Sequence, residues 1–87
     1  MYYTYVLFSP SRYQYYIGHT QDTLEVAVHQ HNLKNRIHTQ KGTPWQLVYA
    51  KSFENSTESY MLMQSLRNIK SRRILECFIE HLTHVEK

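Results

Sequence analysis

The chain has one cysteine, Cys77, among its 87 residues. A single thiol excludes an internal disulfide and a cysteine metal cluster. Cys77 lies in an apolar helical run and reads as a small core residue. With two glycines and two prolines, the chain shows no low-complexity linker, and no internal repeat is visible. It also lacks any run of about 18 apolar residues, so no membrane span is expected. The segment Met1-Tyr2-Tyr3-Thr4-Tyr5 carries neither the basic region nor the apolar stretch of a signal peptide, which points to a cytoplasmic protein. This length leaves room for one core, so a single domain over residues 1–87 is expected, burying about 60–65% of its unfolded surface.

What is present in excess is aromatic: eight Tyr, three Phe and one Trp. Each ring that is buried removes a large apolar area from water, which helps a small domain hold together. Ten basic residues against seven acidic ones give a net charge of +3, compatible with a polyanionic partner. Lys34, Arg36 and Lys41 fall in one polar loop; Arg67, Lys70, Arg72 and Arg73 crowd a second short stretch. Six histidines add charge as the pH falls toward ~6.

The local patterns alternate between two periods. Tyr3 to Phe8 reads as a strand of β-formers. Ser9-Pro10-Ser11 breaks it, and Tyr13 to Gly18 resumes as a second strand, so a hairpin is predicted. Asp22 with Glu25 three residues on is a capping-box-like start. Leu24, Val28 and His31 follow at helical spacing, giving a helix over about 22–32. Asn32 to Thr43 is polar and reads as a loop. Trp45 to Phe53 is a third strand. Asn55 and Glu58 repeat the capping pattern before a helix carrying Tyr60, Met63, Leu66 and Ile69 on one face. Ser71 caps a last helix with Ile74, Leu75, Phe78, Ile79 and Leu82 as its apolar stripe. The order ββαβαα predicts an α+β domain: a small antiparallel three-stranded sheet flanked by helices.

Several residues admit both a structural and a chemical reading. Tyr5 and Tyr16 are either ordinary sheet aromatics or site residues, and His31 is either a core histidine or an active-site one. His29 and His31 are two apart and so face different sides of a helix, which excludes them as a metal pair. His81 and His84 are three apart and could share a metal, yet no third ligand lies nearby in sequence. Met61, Leu62 and Met63 read as core packing rather than a binding groove. The stretch Arg67 to Arg73 is a solvated turn or a phosphate contact.

Two aromatic-centred segments, Tyr3-Thr4-Tyr5-Val6-Leu7 and Tyr15-Tyr16-Ile17-Gly18-His19-Thr20, place Tyr5 and Tyr16 eleven positions apart. With Pro44-Trp45-Gln46-Leu47-Val48-Tyr49, they resemble the GIY-YIG nuclease superfamily, especially its small single-domain members. Tyr16-Ile17-Gly18 matches the second motif outright, while Tyr3-Thr4-Tyr5 stands where the family has Gly-Ile-Tyr or Tyr-Val-Tyr. Leu24-Glu25-Val26-Ala27-Val28-His29-Gln30-His31-Asn32 aligns with the first helix, Phe53 to Met63 with the second, and Ile69-Lys70-Ser71-Arg72-Arg73 with a Lys-Ser-Arg segment. The resemblance covers about residues 3–80 and implies the same ββαβαα fold.

It also implies a chemistry, metal-dependent cleavage of a phosphodiester. In the family two tyrosines stand on neighbouring strands, an arginine on the first helix holds the scissile phosphate, and a glutamate on a later helix binds the divalent metal. A tyrosine or nearby histidine is proposed to help deprotonate the attacking water. Tyr5, Tyr16 and His31 carry over as retained catalytic positions. The arginine position is Ala27 and the glutamate position is Met63, so both are degenerate. Alanine cannot bind a phosphate oxygen, and a thioether is a soft, poor ligand for Mg²⁺.

The resemblance therefore points to a catalytically impaired nuclease domain that binds DNA or RNA through Arg36, Lys41, Arg67 and Lys70 and the cleft around Tyr5 and Tyr16. No cofactor and no metal-binding residue are expected, with Mg²⁺ or Mn²⁺ relevant only if activity is retained. The alternatives are an active structure-selective endonuclease and a non-catalytic interaction module with a protein partner or a second copy.

Overall fold

A computed structural model describes residues 1–33 and 42–85, with side chains described as far as His81. The calls on Lys34, Arg36 and Lys41 and on the side chains of Leu82 and His84 lie outside the described residues. Alternating β-formers make the first strand, β1 (Tyr2–Ser9), which pairs antiparallel with β2 (Gln14–Thr20) on one side and β3 (Gln46–Phe53) on the other. The sheet order is β2-β1-β3. The helices are α1 (Leu24–Asn32), α2 (Ser56–Arg67) and α3 (Arg72–Val85), so the predicted order ββαβαα is observed. None of the described helices is long and apolar enough to cross a membrane.

As the central strand, β1 is buried on both faces, and Thr4, Tyr5, Val6 and Leu7 are all closed off from solvent. Period-two geometry divides their side chains. Tyr5 and Leu7 join Ala27 of α1 and Trp45 in one cluster. Val6 joins Tyr49, Leu66 of α2, and Leu75 and Ile79 of α3 in the other. The sheet thus carries α1 on one face and the two later helices on the opposite one. The buried hydroxyl of Thr4 donates to the Ser59 carbonyl at 2.7 Å, so a polar side chain at the sheet centre is satisfied by α2.

Five expectations change in detail. α1 is capped by Thr23, whose hydroxyl accepts from the Val26 amide at 3.3 Å, and not by Asp22. The Asp22 amide donates to the Thr20 hydroxyl at 3.0 Å, in the turn just before the cap. Tyr60 is exposed, and Ser59 occupies the buried face with Met63 and Leu66 at i, i+4 and i+7. A small residue at 59 lets α2 approach β1 closely enough for the Thr4 bond. Among the described side chains of α3, only Leu75 and Ile79 reach the core; Ile74 is 60% exposed and Phe78 37%. These two lie about 100° around the helix from the buried pair, outside a narrow contact line. Cys77 is exposed for the same reason and is no core residue. Of the three residues Met61, Leu62 and Met63, only Met63 is fully buried, and Met61 is exposed. The caps at Asn55 and Ser71 stand as expected, accepting from the Glu58 amide at 2.8 Å and the Ile74 amide at 3.3 Å.

One side-chain bond ties the hairpin to the last helix. The Tyr15 hydroxyl donates to the Glu76 carboxylate at 2.8 Å. Desolvation first, then that hydrogen bond and the Glu76 charge, push the Tyr15 phenol up from 10.0 to about 12. Because the folded value lies above the unfolded one, the interaction's contribution is complete below pH 10 and is lost as the pH rises through about 12. Thermal stability is expected to fall more steeply between those values in the natural protein than in a Tyr15→Phe variant. Melting curves by circular dichroism across that range would check it; parallel pH profiles for the two proteins would contradict it.

Candidate active site

The register of the hairpin brings the two motif tyrosines together. Tyr5 lies directly opposite Gly18, and Tyr16 opposite Leu7. Cross-strand partners share a face, so both tyrosines project toward α1. Their ring centroids are 6.4 Å apart and inclined by 37°. Gly18 makes this approach possible. A Cβ built there would stand 2.9 Å from the Tyr5 hydroxyl oxygen and 3.0 Å from Tyr16 Cε2. The glycine serves neither a turn nor a positive φ; it leaves the space that the two rings occupy.

α1 supplies the roof. Its two buried residues are Ala27 and His31, one turn apart on the face turned to the sheet. His31 is completely buried, and its Nε2 shares a hydrogen bond of 3.0 Å with the Tyr5 hydroxyl. The His31 ring also stands 4.7 Å from that of Tyr16, centroid to centroid. His31 is therefore a core residue, and one that touches both motif tyrosines. Trp45 closes the far side, with its ring 6.4 Å from Tyr16. Its backbone is clamped by Asn32, which accepts from the Trp45 amide at 2.5 Å and donates to its carbonyl at 3.2 Å. The positioning role of Asn32 was not evident in the sequence. The signal available was the family resemblance, in which Asn32 is retained directly after His31 in the first-helix stretch.

α2 reaches the same site around the free side of β2. The Arg67 Nε donates to the Ile17 carbonyl at 2.9 Å, and its guanidinium carbon lies 5.8 Å from the centre of the Tyr16 ring. Arg67 thereby binds a backbone carbonyl of the edge strand β2 while keeping its charge exposed beside a tyrosine. Met63 is buried one turn earlier on the same helix. Lys70 is exposed in the link between α2 and α3.

The structure thus groups Tyr5, Tyr16, Ala27 and His31 within one cluster, with Arg67 at its rim; none of the described contacts joins Lys70 to that cluster. Chemically the cluster offers a phenol, a phenol–imidazole pair and one guanidinium. A hard divalent cation needs oxygen ligands, and the thioether at Met63 does not meet that need. Among the described residues, no three His, Cys, Asp or Glu side chains come together to hold a metal. His29 and His31 do not form a pair: one is exposed and the other buried.

A three-stranded sheet with a tyrosine from each of two neighbouring strands under a first-helix histidine defines a nuclease-type domain. The family model of the GIY-YIG catalytic domain matches residues 1–71, and the chain belongs to that family. The match includes both tyrosines, α1, β3 and α2, and stops before α3. No curated protein and no solved structure matched the chain.

Proposed function

We propose that this protein binds nucleic acid and has lost the catalytic power of its family. The observation that carries this reading is the contrast between a packed tyrosine–histidine cluster and the side chains at two family positions. The parts that shape the site, namely Tyr5, Tyr16, Gly18 and His31, are packed together. The two positions where the family resemblance calls for a phosphate-binding arginine and a metal-binding glutamate hold Ala27 and Met63, at 4% and 5% exposure. Neither side chain neutralises a phosphate or holds a cation. Removing one such electrostatic group from an active site costs roughly 10²–10³ in rate, and this chain lacks two.

Binding survives such losses because it draws on different groups. Arg67, with Lys70 beyond it, presents cationic charge at the rim, and backbone phosphates need no metal to be held by cations. Arg36 and Lys41 are proposed to add to this charge. The reading also accounts for the net charge of +3.

The test uses the natural protein with supercoiled plasmid in Mg²⁺ or Mn²⁺. A salt-sensitive gel shift without accumulation of nicked circles is expected. Nicking abolished by a chelator would establish the active-endonuclease reading instead. Absence of any shift at low salt would move an interaction module to the front. One observation favours that second reading: Met61 and Phe78 leave apolar surface open beside a shallow groove lined by Tyr49, Phe53 and Leu62.

A further inference from the structure

The tip of the β1–β2 hairpin carries a feature that the tyrosine site does not explain. Tyr13 adopts a positive φ of 53°, the only non-glycine among the described residues to do so. Left-handed backbone is where a hairpin ordinarily places glycine or asparagine, and a bulky side chain there is strained. A large residue held in that conformation needs a compensating reason. Burial is not the reason, since Tyr13 is 56% exposed.

Its surroundings suggest one. The Arg72 guanidinium sits 4.7 Å from the centre of the Tyr13 ring, and Phe8 meets that ring edge-on at 5.7 Å. The ring is therefore held in place by a cation and a second aromatic while most of the residue stays in water. Arg12, Lys70 and Arg73 are also exposed nearby in the chain. Glu76, one turn after Arg72, is turned to the Tyr15 hydroxyl instead. An exposed, oriented tyrosine among cations has the composition of a platform for stacking a nucleobase.

The position relative to the first site matters as much as the composition. β2 is an edge strand of the sheet, with Tyr13 just before its start and Ile17 in its middle. Arg67 caps the Ile17 carbonyl and borders Tyr16. Four residues of extended chain separate the two points, about 13 Å at roughly 3.3 Å per residue. A few nucleotides span that distance. Cations stand at both ends, Arg72 at the tip and Arg67 by Tyr16.

We propose that Tyr13, backed by Arg72, stacks an unpaired base, so that a single-stranded segment runs along the outer edge of β2 from the hairpin tip to the Tyr16–Arg67 rim. The inference deepens the nucleic-acid-binding reading and rests on it: it names the ligand class as nucleic acid with a single-stranded portion. In a duplex the faces of the bases are already stacked on one another, so a lone exposed ring gains nothing from them. An unpaired base offers its face to any aromatic side chain.

The experiment is fluorescence anisotropy with labelled single-stranded oligothymidylate, its RNA counterpart oligouridylate, and a blunt DNA duplex, at one fixed moderate salt. The proteins are the natural chain, Tyr13→Asn, Tyr13→Phe and Arg72→Gln. Asparagine tolerates the left-handed backbone, so Tyr13→Asn removes the ring without forcing the hairpin to rebuild. It is expected to weaken single-strand binding by roughly 5- to 150-fold and to leave duplex binding within about twofold. Tyr13→Phe keeps the ring and is expected to bind as the natural protein does. Arg72→Gln leaves the hairpin sequence untouched and is expected to lose roughly 2- to 5-fold on the single strand, which keeps the proposal open to test should the asparagine variant fold poorly. The comparison of oligothymidylate with oligouridylate decides between DNA and RNA. Single-strand affinity unchanged in both Tyr13→Asn and Arg72→Gln, or an equal loss on duplex and single strand, would overturn the stacking platform while leaving nucleic-acid binding in place. No binding of any probe by the natural protein at low salt would overturn the underlying reading itself.

Discussion

A double variant, Ala27→Arg with Met63→Glu, is expected to nick supercoiled plasmid in Mg²⁺ at least ~10²-fold faster than the natural protein. The geometry behind this expectation lies in two helical pairs. Ala27 is one turn from His31 on α1, on the face that meets Tyr5. Met63 is one turn from Arg67 on α2, whose guanidinium borders Tyr16. Side chains at i and i+4 on a helix are neighbours, so an arginine at 27 starts beside His31 and a glutamate at 63 beside Arg67. The carboxylate supplies the hard oxygen ligand that the thioether does not, and the guanidinium supplies the planar donor for phosphate oxygens.

The graft has a cost. Ala27 is packed against Tyr5, Leu7 and Trp45. A long cation there must thread out of a filled space, at about 1–3 kcal/mol of stability. Circular dichroism and a melting curve would therefore accompany the cleavage assay. Nicking by the folded double variant, and by neither single variant to the same degree, would show that the cleft is intact and only its catalytic groups have been lost. A folded double variant that leaves the plasmid untouched would mean that Ala27 and Met63 do not account for the loss.

Truncating His31 to alanine is expected to lower the stability of the domain by about 2–4 kcal/mol. Two costs combine. The imidazole is completely buried between Tyr5 and Tyr16, so its removal leaves a cavity in a packed cluster. It also removes a partner of the Tyr5 hydroxyl, itself inside the fold. A chain of 87 residues holds roughly 4–13 kcal/mol in total at ~0.05–0.15 kcal/mol per residue, so the loss is a large share. The melting temperature should drop by roughly 10–25 °C. His31→Phe, which restores bulk without the hydrogen bond, should recover about half of that or more. If alanine at 31 shifted the melting temperature by only a degree or two, the aromatic cluster would not be what anchors α1 to the sheet.

How much of this was legible in the sequence depends on the range of the interaction concerned. Strand and helix identity follow from period and from caps within four residues, and the chain declared them: Tyr3 to Phe8 alternates, and Asn55 and Ser71 cap as predicted. The family could be read because Tyr16-Ile17-Gly18 and Pro44-Trp45-Gln46-Leu47-Val48-Tyr49 are local strings. Ala27 and Met63 could be picked out as departures for the same reason.

Which side of each helix is buried was less accessible. The sequence put Tyr60 on the apolar face of α2, where packing selected Ser59, and it put Ile74 and Phe78 in the stripe of α3 beside Leu75 and Ile79, of which packing kept the latter pair. Hydropathy defines a broad face, but only the neighbouring element selects the narrow line of contact within it. Ser59 lies against the sheet, where Thr4, 55 residues earlier, donates to its carbonyl, and no local pattern carries that information. The same holds for the site. Sequence alone determined that two tyrosines, a histidine and a glycine were present at the family's spacing. Only the tertiary structure decided that Gly18 leaves the room both rings occupy, that His31 bonds Tyr5, that Asn32 clamps Trp45, and that Arg72 settles on an exposed, left-handed Tyr13. Each of these joins residues from separate elements, and such contacts exist only after the chain has paid the entropy of bringing distant segments together.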